Sequence, residues 1–280
     1  MSFQPVIPMS GVGGWKFLQS TYDRQLSNHS DSPQVRRDRD YLTEKLANPI
    51  SVEDFVADKR LLRTALTAFG LAGEEWKGGF INKVLKETGD PDSTFLQRLN
   101  NPRYTAFANA LAPANGKIEL EPDALARMAV RFEMHAFNAA VGDIDDTMRL
   151  ALNYKSEVGE IVGNGSSEKA VLYRLLGDLP VASVLKTALN LPESSTKLPI
   201  ERQADMLKSG LQKLLGIRDI AEITKPEHVE KLIERFHIMS SVNAGPSMST
   251  PGVTALSLLS GNSFGFGANA SQNLFLSLLR

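Results

Sequence analysis

The sequence predicts an all-α protein in which many helices form a bundle-like array. Apolar residues recur at spacings of three and four along most of the chain, which is the period of amphipathic helices. Capping residues, prolines and glycines punctuate these stretches at helical intervals. No stretch combines sustained apolar–polar alternation with β-branched residues, and the segment 117–120 is the one modest strand candidate.

Helix starts in the first half of the chain are predicted from capping residues. Ser32 precedes Pro33, which puts a capping side chain before a proline at the first helical position. Ser51 and Asp54 resemble a capping box, so one helix is expected to run from there through Phe69. The other signals in this half are ends at Pro49, Gly70, Gly89 and Pro113, and starts at Asp92 or Ser93 and at Asn101.

The second half of the chain shows the same punctuation. A long helix is predicted to begin near Pro122 and to close at Gly142. Thr224, Pro226 and Glu227 form a capping-box pattern with proline, which opens the last predicted helix. The other signals are starts at Asp145, Ser167 and Asp178, a break at Gly163 to Gly165, an end at Asn190 with Pro192, and a helix over 199–215.

One stretch of the sequence has a weak internal echo. Residues 57–71 align without gaps to residues 177–191. Gly70 corresponds to Asn190, and both residue types accept the left-handed conformation that ends a helix. The identical pairs are Asp58/Asp178, Thr67/Thr187, Ala68/Ala188 and Leu71/Leu191. Two related helical halves explain this echo, and so does chance convergence of two capped amphipathic helices.

Changes of composition divide the chain into four predicted segments. An N-terminal segment with a short amphipathic helix covers 1–31, and a first helical domain covers 32–142. A second helical domain covers 143–240, and an uncharged tail rich in Ser, Gly and Asn covers 241–280.

Composition argues against several classes of protein and site. The chain has 31 Lys and Arg against 32 Asp and Glu, so nothing indicates a nucleic-acid or anionic-membrane partner. The absence of cysteine excludes disulfides, thiol nucleophiles and cysteine-ligated zinc. No apolar run approaches the ~18 residues of a membrane span, and the N-terminus lacks the basic region of a cleavable signal peptide. The chain is therefore expected in the cytoplasm, or exported by a route that needs no cleaved signal.

The two ends of the chain are unusual because they lack charge. The first charged residue is Lys16, and residues 240–279 contain no Asp, Glu, Lys or Arg. Apolar clusters at 256–259 and 274–279 make the tail adhesive in water, so something is expected to cover it. The candidate interaction residues at the two ends are Trp15, Leu18, Tyr22, Leu26, Leu274, Phe275, Leu278 and Leu279.

Two alternatives explain what covers these ends. In the first, the tail packs on its own helical body, beside the N-terminal stripe formed by Trp15, Leu18, Tyr22 and Leu26. In the second, one or both ends become ordered only inside an assembly. The first is favoured because domain termini are often held by docking.

No motif for catalysis, metal or cofactor binding is apparent. Glu234 and His237 form a Glu-x-x-His pair on a helix, but a second pair is absent, which favours a structural or surface histidine. The cluster Asp143, Asp145 and Asp146 lacks the glycine and the glutamate of a calcium loop and is explained by helix capping. No catalytic residue, metal or cofactor is therefore predicted, and the chain is not expected to be an enzyme. Carboxylates assembled in space leave no motif, so a hydrolase remains an alternative.

Two consecutive stretches, 35–71 and 79–111, carry a family resemblance. Their elements are Tyr41 with Leu42, Asp58 with Leu61 and Leu62, the segment 68–71, the segment 80–85, and Leu99 with Tyr104 and Phe107. In this order they resemble a bacterial family of unknown function whose genes tend to lie among flagellar genes. Leu42 departs from the aromatic residue usual there. The resemblance implies a part in flagellar motility or assembly, and it carries over no catalytic residue.

The leading hypothesis is therefore a non-enzymatic structural or assembly protein of the flagellum that acts through helical protein–protein contacts. Its partners would be other flagellar or export proteins, or further copies of itself, and its location the cytoplasm or the flagellar basal body. A cytoplasmic helical chaperone or binding module for flagellar export is the first alternative. A hydrolase with an unrecognised carboxylate site is the second.

Overall fold

The computed structural model describes residues 3–88, 94–99, 101–163 and 167–244. Within these residues the predicted all-α class is confirmed, because β structure is limited to one two-stranded sheet and an isolated bridge between Ala114 and Lys117. None of the helices in this part of the chain has the length and apolar content needed to cross a membrane. The elements are α1 (Gly11–Ser30), α2 (Pro33–Leu46), β1 (Ile50–Ser51), α3 (Val52–Ala57), α4 (Lys59–Ala68), α5 (Gly78–Thr88), α6 (Phe95–Leu99), α7 (Pro102–Ala110), β2 (Lys117–Ile118), α8 (Pro122–Gly142), α9 (Asp146–Val162), α10 (Glu168–Gly177), α11 (Leu179–Ala188), α12 (Ile200–Leu215) and α13 (Pro226–Asn243), with short 3-10 helices at Glu75–Lys77, Glu193–Lys197 and Ile220–Thr224.

Helix α8 contributes to two hydrophobic cores in the compact unit within Met1–Met239. Its first half adds Met128 and Phe132 to a core formed with α2–α7. Its second half adds Phe137 and Val141 to a core formed with α1 and α9–α13. Because α8 also packs against α1, α2, α4 and α9, it joins both cores in one helical body.

Most predicted helix starts are confirmed by hydrogen bonds at the caps. The side chain of Ser51 accepts from the Asp54 amide at 3.0 Å, and the Asn101 side chain accepts from the amides of Arg103 and Tyr104. Asp145 and Ser167 cap α9 and α10 in the same way. The strand candidate is confirmed as well, since β2 pairs antiparallel with β1. Gly89 and the starts at Asp92 or Ser93 lie outside the described residues.

The single helix predicted from Ser51 through Phe69 is wrong, because it is two helices. Asp58 has an extended backbone between α3 and α4, with φ −75° and ψ 94°. Its carboxylate accepts from the amides of Arg60 and Leu61 at 3.1 and 3.0 Å, which opens α4 with a new cap. An N-cap aspartate satisfies amides that a continuous helix would have bonded to carbonyls, so the helix restarts there.

The last helix begins at Pro226 as predicted, but the capping box predicted from Thr224 and Glu227 is wrong. Thr224 is the last residue of a 3-10 helix, and its hydroxyl donates to the Ala221 carbonyl at 2.8 Å. Asp219 and Glu222 form the reciprocal box instead. The Thr224 hydroxyl, which the sequence pattern assigned to the start of α13, is therefore bonded within the preceding 3-10 helix.

The internal echo has a structural counterpart. Asp178 caps α11 as Asp58 caps α4, and each of these helices has 10 residues. Two residues after its last residue, each helix is followed by a residue with positive φ, 67° at Gly70 and 52° at Asn190. The amide of the following leucine then donates back to the carbonyl five residues earlier, Leu71 to Leu66 and Leu191 to Lys186.

Each of the two helices, α4 and α11, also accepts a hydrogen bond at its last residue from an arginine of another helix. Arg131 of α8 donates through Nε to the Ala68 carbonyl at 3.3 Å, and Arg235 of α13 donates to the Ala188 carbonyl at 2.7 Å. Caps alone recur in unrelated helices, but this shared long-range contact does not follow from capping. It favours two related halves over chance convergence.

Candidate functional site

The N-terminal candidate residues lie in the second hydrophobic core. Trp15 and Leu18 are fully buried, and Tyr22 and Leu26 pack against the same core while half-buried. The Trp15 Nε1 donates to Glu230 of α13 at 2.9 Å, and the Tyr22 ring meets Phe137 edge-on. This stripe is thus part of the helical body. The C-terminal candidates, Leu274, Phe275, Leu278 and Leu279, lie outside the described residues.

The Glu-x-x-His pair of α13 does not act as one site. Glu234 is paired with Lys16 at 3.1 Å near the surface. His237 is 1% exposed and stacks beside Trp15 and Phe236, with ring centroids 5.8 and 5.2 Å away. Of the two alternatives, a structural or a surface histidine, this burial excludes the surface position. Within the described ranges, no group of three or more potential ligands is placed to hold a metal ion.

Protonation of His237 is expected to destabilise the protein as the pH falls. Burial lowers the pKa of His237 to about 4, against the opposing negative charges of Asp145 and Glu230. In the unfolded chain the imidazole protonates near its ordinary pKa of 6.5, whereas the folded protein resists protonation until about pH 4. The stability that neutral His237 provides is thus complete above pH 6.5 and is lost as the pH falls toward 4.

The test compares the natural chain with His237→Gln, which cannot titrate. Between pH 7 and pH 4 the unfolding free energy of the natural chain should fall by about 2–3 kcal/mol more than that of the variant. Urea unfolding at both pH values measures the difference. Equal pH dependence of the two proteins would contradict the buried, neutral state of His237.

Buried ion pairs cross between the two cores, and Arg103 is at their centre. Arg103 of α7 is 8% exposed, and its Nε and Nη2 donate to the two carboxylate oxygens of Asp178 at 2.7 and 3.3 Å. Its Nη1 donates to the Gly70 carbonyl at 2.9 Å. Gly70 has no alternative there, because its φ is positive and a Cβ would collide with the guanidinium.

A second polar cluster continues from this pair along α8 and α9. Nε2 of His135 lies 3.3 Å from Glu157, and Arg131 lies 3.8 Å from Glu157 and 3.0 Å from Glu160. Burial by itself raises the pKa of Glu157, but contact with His135 and the charges of Arg131 and Arg103 outweigh it and lower the pKa. Glu157 is therefore held as a buried carboxylate, which is paired and unsuited to act as a general acid.

A cavity of about 770 Å³ opens beside these ion pairs. We call it the arginine cavity. Its apolar walls include Phe69, Leu120, Met128 and Ile161. Its charged lining consists of Arg103, Arg127, Arg131, Arg174, Glu157 and Glu160.

The arginines of this cavity are not equally paired. Arg103 and Arg131 have carboxylate partners, as described above. Arg174 of α10 is half-buried, and its Nε and Nη2 are shielded from solvent without a hydrogen-bond partner among the described residues. Arg127 lies exposed at the rim, and no described residue pairs with it either. With Asp178 counted beside Arg103, four positive charges face three negative ones, and the excess lies with Arg127 and Arg174, so the cavity favours an anion.

The arginine cavity could not be predicted from the sequence. Its arginines lie on α7, α8 and α10, with no common spacing or motif. The one residue that could have drawn attention is Arg103, directly after Asn101 and Pro102. A charged side chain in the first turn of a helix is ordinarily solvated, so its position alone does not predict burial. Here that turn is buried against α11, a contact that only the three-dimensional structure reveals.

These features define an all-α protein whose interior polar residues form ion pairs across two helical cores. A family model described as a protein of unknown function (DUF1217) matches residues 68–229. The match covers more than half of the chain, which therefore belongs to this family. Membership in a family of unknown function, as the sequence resemblance predicted, is thus confirmed.

A solved structure resembles this chain closely in fold. It is the X-ray crystal structure of protein AGR_C_984 from Agrobacterium tumefaciens, with 27% sequence identity and a TM-score of 0.67. The similarity covers 87% of this chain and 100% of that chain. No curated protein matches this chain.

Proposed function

We propose that this protein is a non-enzymatic structural or assembly component of the bacterial flagellum that acts through helical protein–protein contacts. Since α13 runs through Asn243, the tail is taken from here on as the part of the predicted segment 241–280 that begins at Gly245. The observation that carries the proposal is the contrast between the helical body and the charge-free sequence of this tail. The body places most of its large apolar residues in two cores, with exceptions such as Trp76 and Leu179, whereas the tail keeps apolar clusters in a sequence without a charged side chain up to Leu279.

A tail of this composition is suited to contact with another protein surface. Chains that remain free in water usually combine high charge with low hydrophobicity, and this tail has neither property. Apolar clusters flanked by polar residues mark protein-interaction sites. The flagellar part of the proposal is based on the sequence resemblance described above. Membership in the family of unknown function is compatible with that resemblance but identifies no partner.

The test introduces charge into the apolar cluster of the tail. In a bacterium whose own copy of the gene is deleted, the double variant Leu276→Glu and Leu278→Glu is compared with the natural chain. A control, Ser271→Glu with Asn273→Glu, adds the same charge at neighbouring polar positions. We expect the first variant to lose swimming motility by about as much as the gene deletion, because a charged residue in an apolar contact is strongly disfavoured.

The control should swim like the natural chain, and both variants should be present at equal abundance. Normal swimming of the deletion strain would contradict the flagellar role. Equal effects of the two charge pairs would contradict a role for the apolar cluster, because a contact that depends on apolar side chains distinguishes the two sets of positions.

A further inference from the structure

We propose that the arginine cavity binds a small organic anion, with an apolar body and a single carboxylate or phosphate group. This site is separate from the flagellar role, and it depends only on residues of the helical body. Three properties of the cavity carry the proposal: its size, its apolar walls and its unpaired guanidinium groups.

The size and walls of the cavity suit the body of such a molecule. A volume of about 770 Å³ lies within the ~300–1,000 Å³ range of small-molecule sites, which are concave and mostly apolar. Phe69, Leu120, Met128 and Ile161 supply apolar surface from α4–α5 and β2–α8 connections and from α8 and α9. An apolar ligand body would cover this surface and displace water from it.

The position of charge in the cavity selects the ligand's polar group. Arg103 and Arg131 already donate to Asp178 and Glu160, so their charges are largely neutralised. Arg174 has two shielded nitrogens without an acceptor among the described residues. A guanidinium is a planar fork of donors that matches the oxygens of a carboxylate or phosphate. Because Nε and Nη2 of Arg174 are already shielded, the anion is placed against Nη1, the remaining nitrogen of this guanidinium, and Arg127 adds a second positive charge.

Stability provides a first test, because a shielded donor without an acceptor is unfavourable in the empty protein. Replacing Arg174 with methionine keeps most of the side-chain length and removes the charge. In the absence of ligand, the Tm of Arg174→Met should rise by about 2–4 °C. A fall in Tm would show that Arg174 holds the fold together, and it would overturn the assignment of this residue to a binding site.

Binding provides the second test, with three probes that share one apolar body. The natural chain is titrated calorimetrically with 2-naphthoate, 2-naphthyl phosphate and the uncharged 2-naphthalenemethanol. We expect at least one anion to bind about tenfold or more tightly than the neutral probe, since hydrogen bonds to a charged group are the strong ones. Preference for the naphthoate or for the naphthyl phosphate identifies the anionic group as a carboxylate or a phosphate.

The variants decide whether the cavity is responsible for binding. Arg174→Met should weaken binding of the preferred anion about tenfold or more. Arg174→Gln should have the same effect, and it provides the test if Arg174→Met folds poorly. Arg202→Met is the control, because Arg202 is exposed on α12 and does not line the cavity. Equal affinity for the neutral probe, no binding of either anion, or unchanged binding by folded Arg174 variants would each overturn the proposal.

Discussion

Replacing Arg103 with methionine is expected to lower the free energy of unfolding by about 3–5 kcal/mol. The change removes the partner of Asp178, whose side chain is 1% exposed, and leaves its carboxylate buried without a counter-charge. The Gly70 carbonyl loses its donor at the same time. Urea unfolding followed by circular dichroism measures the loss. We expect it to be the largest effect of a single polar substitution in the helical body.

The double variant Arg103→Met with Asp178→Asn separates the ion pair from other effects of the substitution. Asparagine keeps a side-chain oxygen for the Val181 amide, which Asp178 now bonds at 3.1 Å, and it removes the unpaired charge. The double variant should therefore recover a large part of the lost stability. If it is as unstable as Arg103→Met alone, the buried charge is not the cause, and the account of this pair is wrong.

Replacing Trp15 with alanine is expected to cost about 3–5 kcal/mol of unfolding free energy. Trp15 is fully buried in the second core, next to His237, and its indole nitrogen donates to Glu230. The substitution leaves a large cavity where α1 meets α13, and the loss of apolar burial adds to the loss of the hydrogen bond. Thermal and urea unfolding measure the change.

Phe17 is a matched control on the same helix. Its side chain is 36% exposed, so Phe17→Ala removes an aromatic ring with much less buried surface. We expect this variant to lose less than about 1 kcal/mol. If the two substitutions on α1 cost the same, α1 would not be anchored through Trp15, and the N-terminal stripe would again be available for contacts with a partner.

Local signals predicted most of the fold, because helix caps depend on a few adjacent residues. Ser51, Asn101, Asp145 and Asp178 cap helices as their sequence context indicates. The break at Asp58 was missed although it matches Asp178, because an apolar face continues across it and favours one long helix. At Asp58 the cap, with its two hydrogen bonds to the amides of Arg60 and Leu61, prevails over the periodicity.

The candidate site was far less predictable than the helices. Arg103 and Asp178 are 75 residues apart in sequence and meet only because α7 and α11 are brought together. The same holds for Arg127 and Arg174, which line one cavity from α8 and α10. The apolar stripe around Trp15 was recognised, but an amphipathic helix shows one apolar face whether it packs on its own body or on a partner.

Direct fractionation tests the association of this protein with the flagellum. Intact flagella with their basal bodies are purified from a bacterium that carries the natural chain, beside a cytosolic fraction, and both are probed with an antibody against the protein. We expect to detect the protein in the basal-body fraction. The same fraction from a strain that lacks the gene is the control, and it should give no signal. Detection in the cytosol alone would contradict a structural place in the flagellum and would leave an export chaperone or an enzyme as the better explanation.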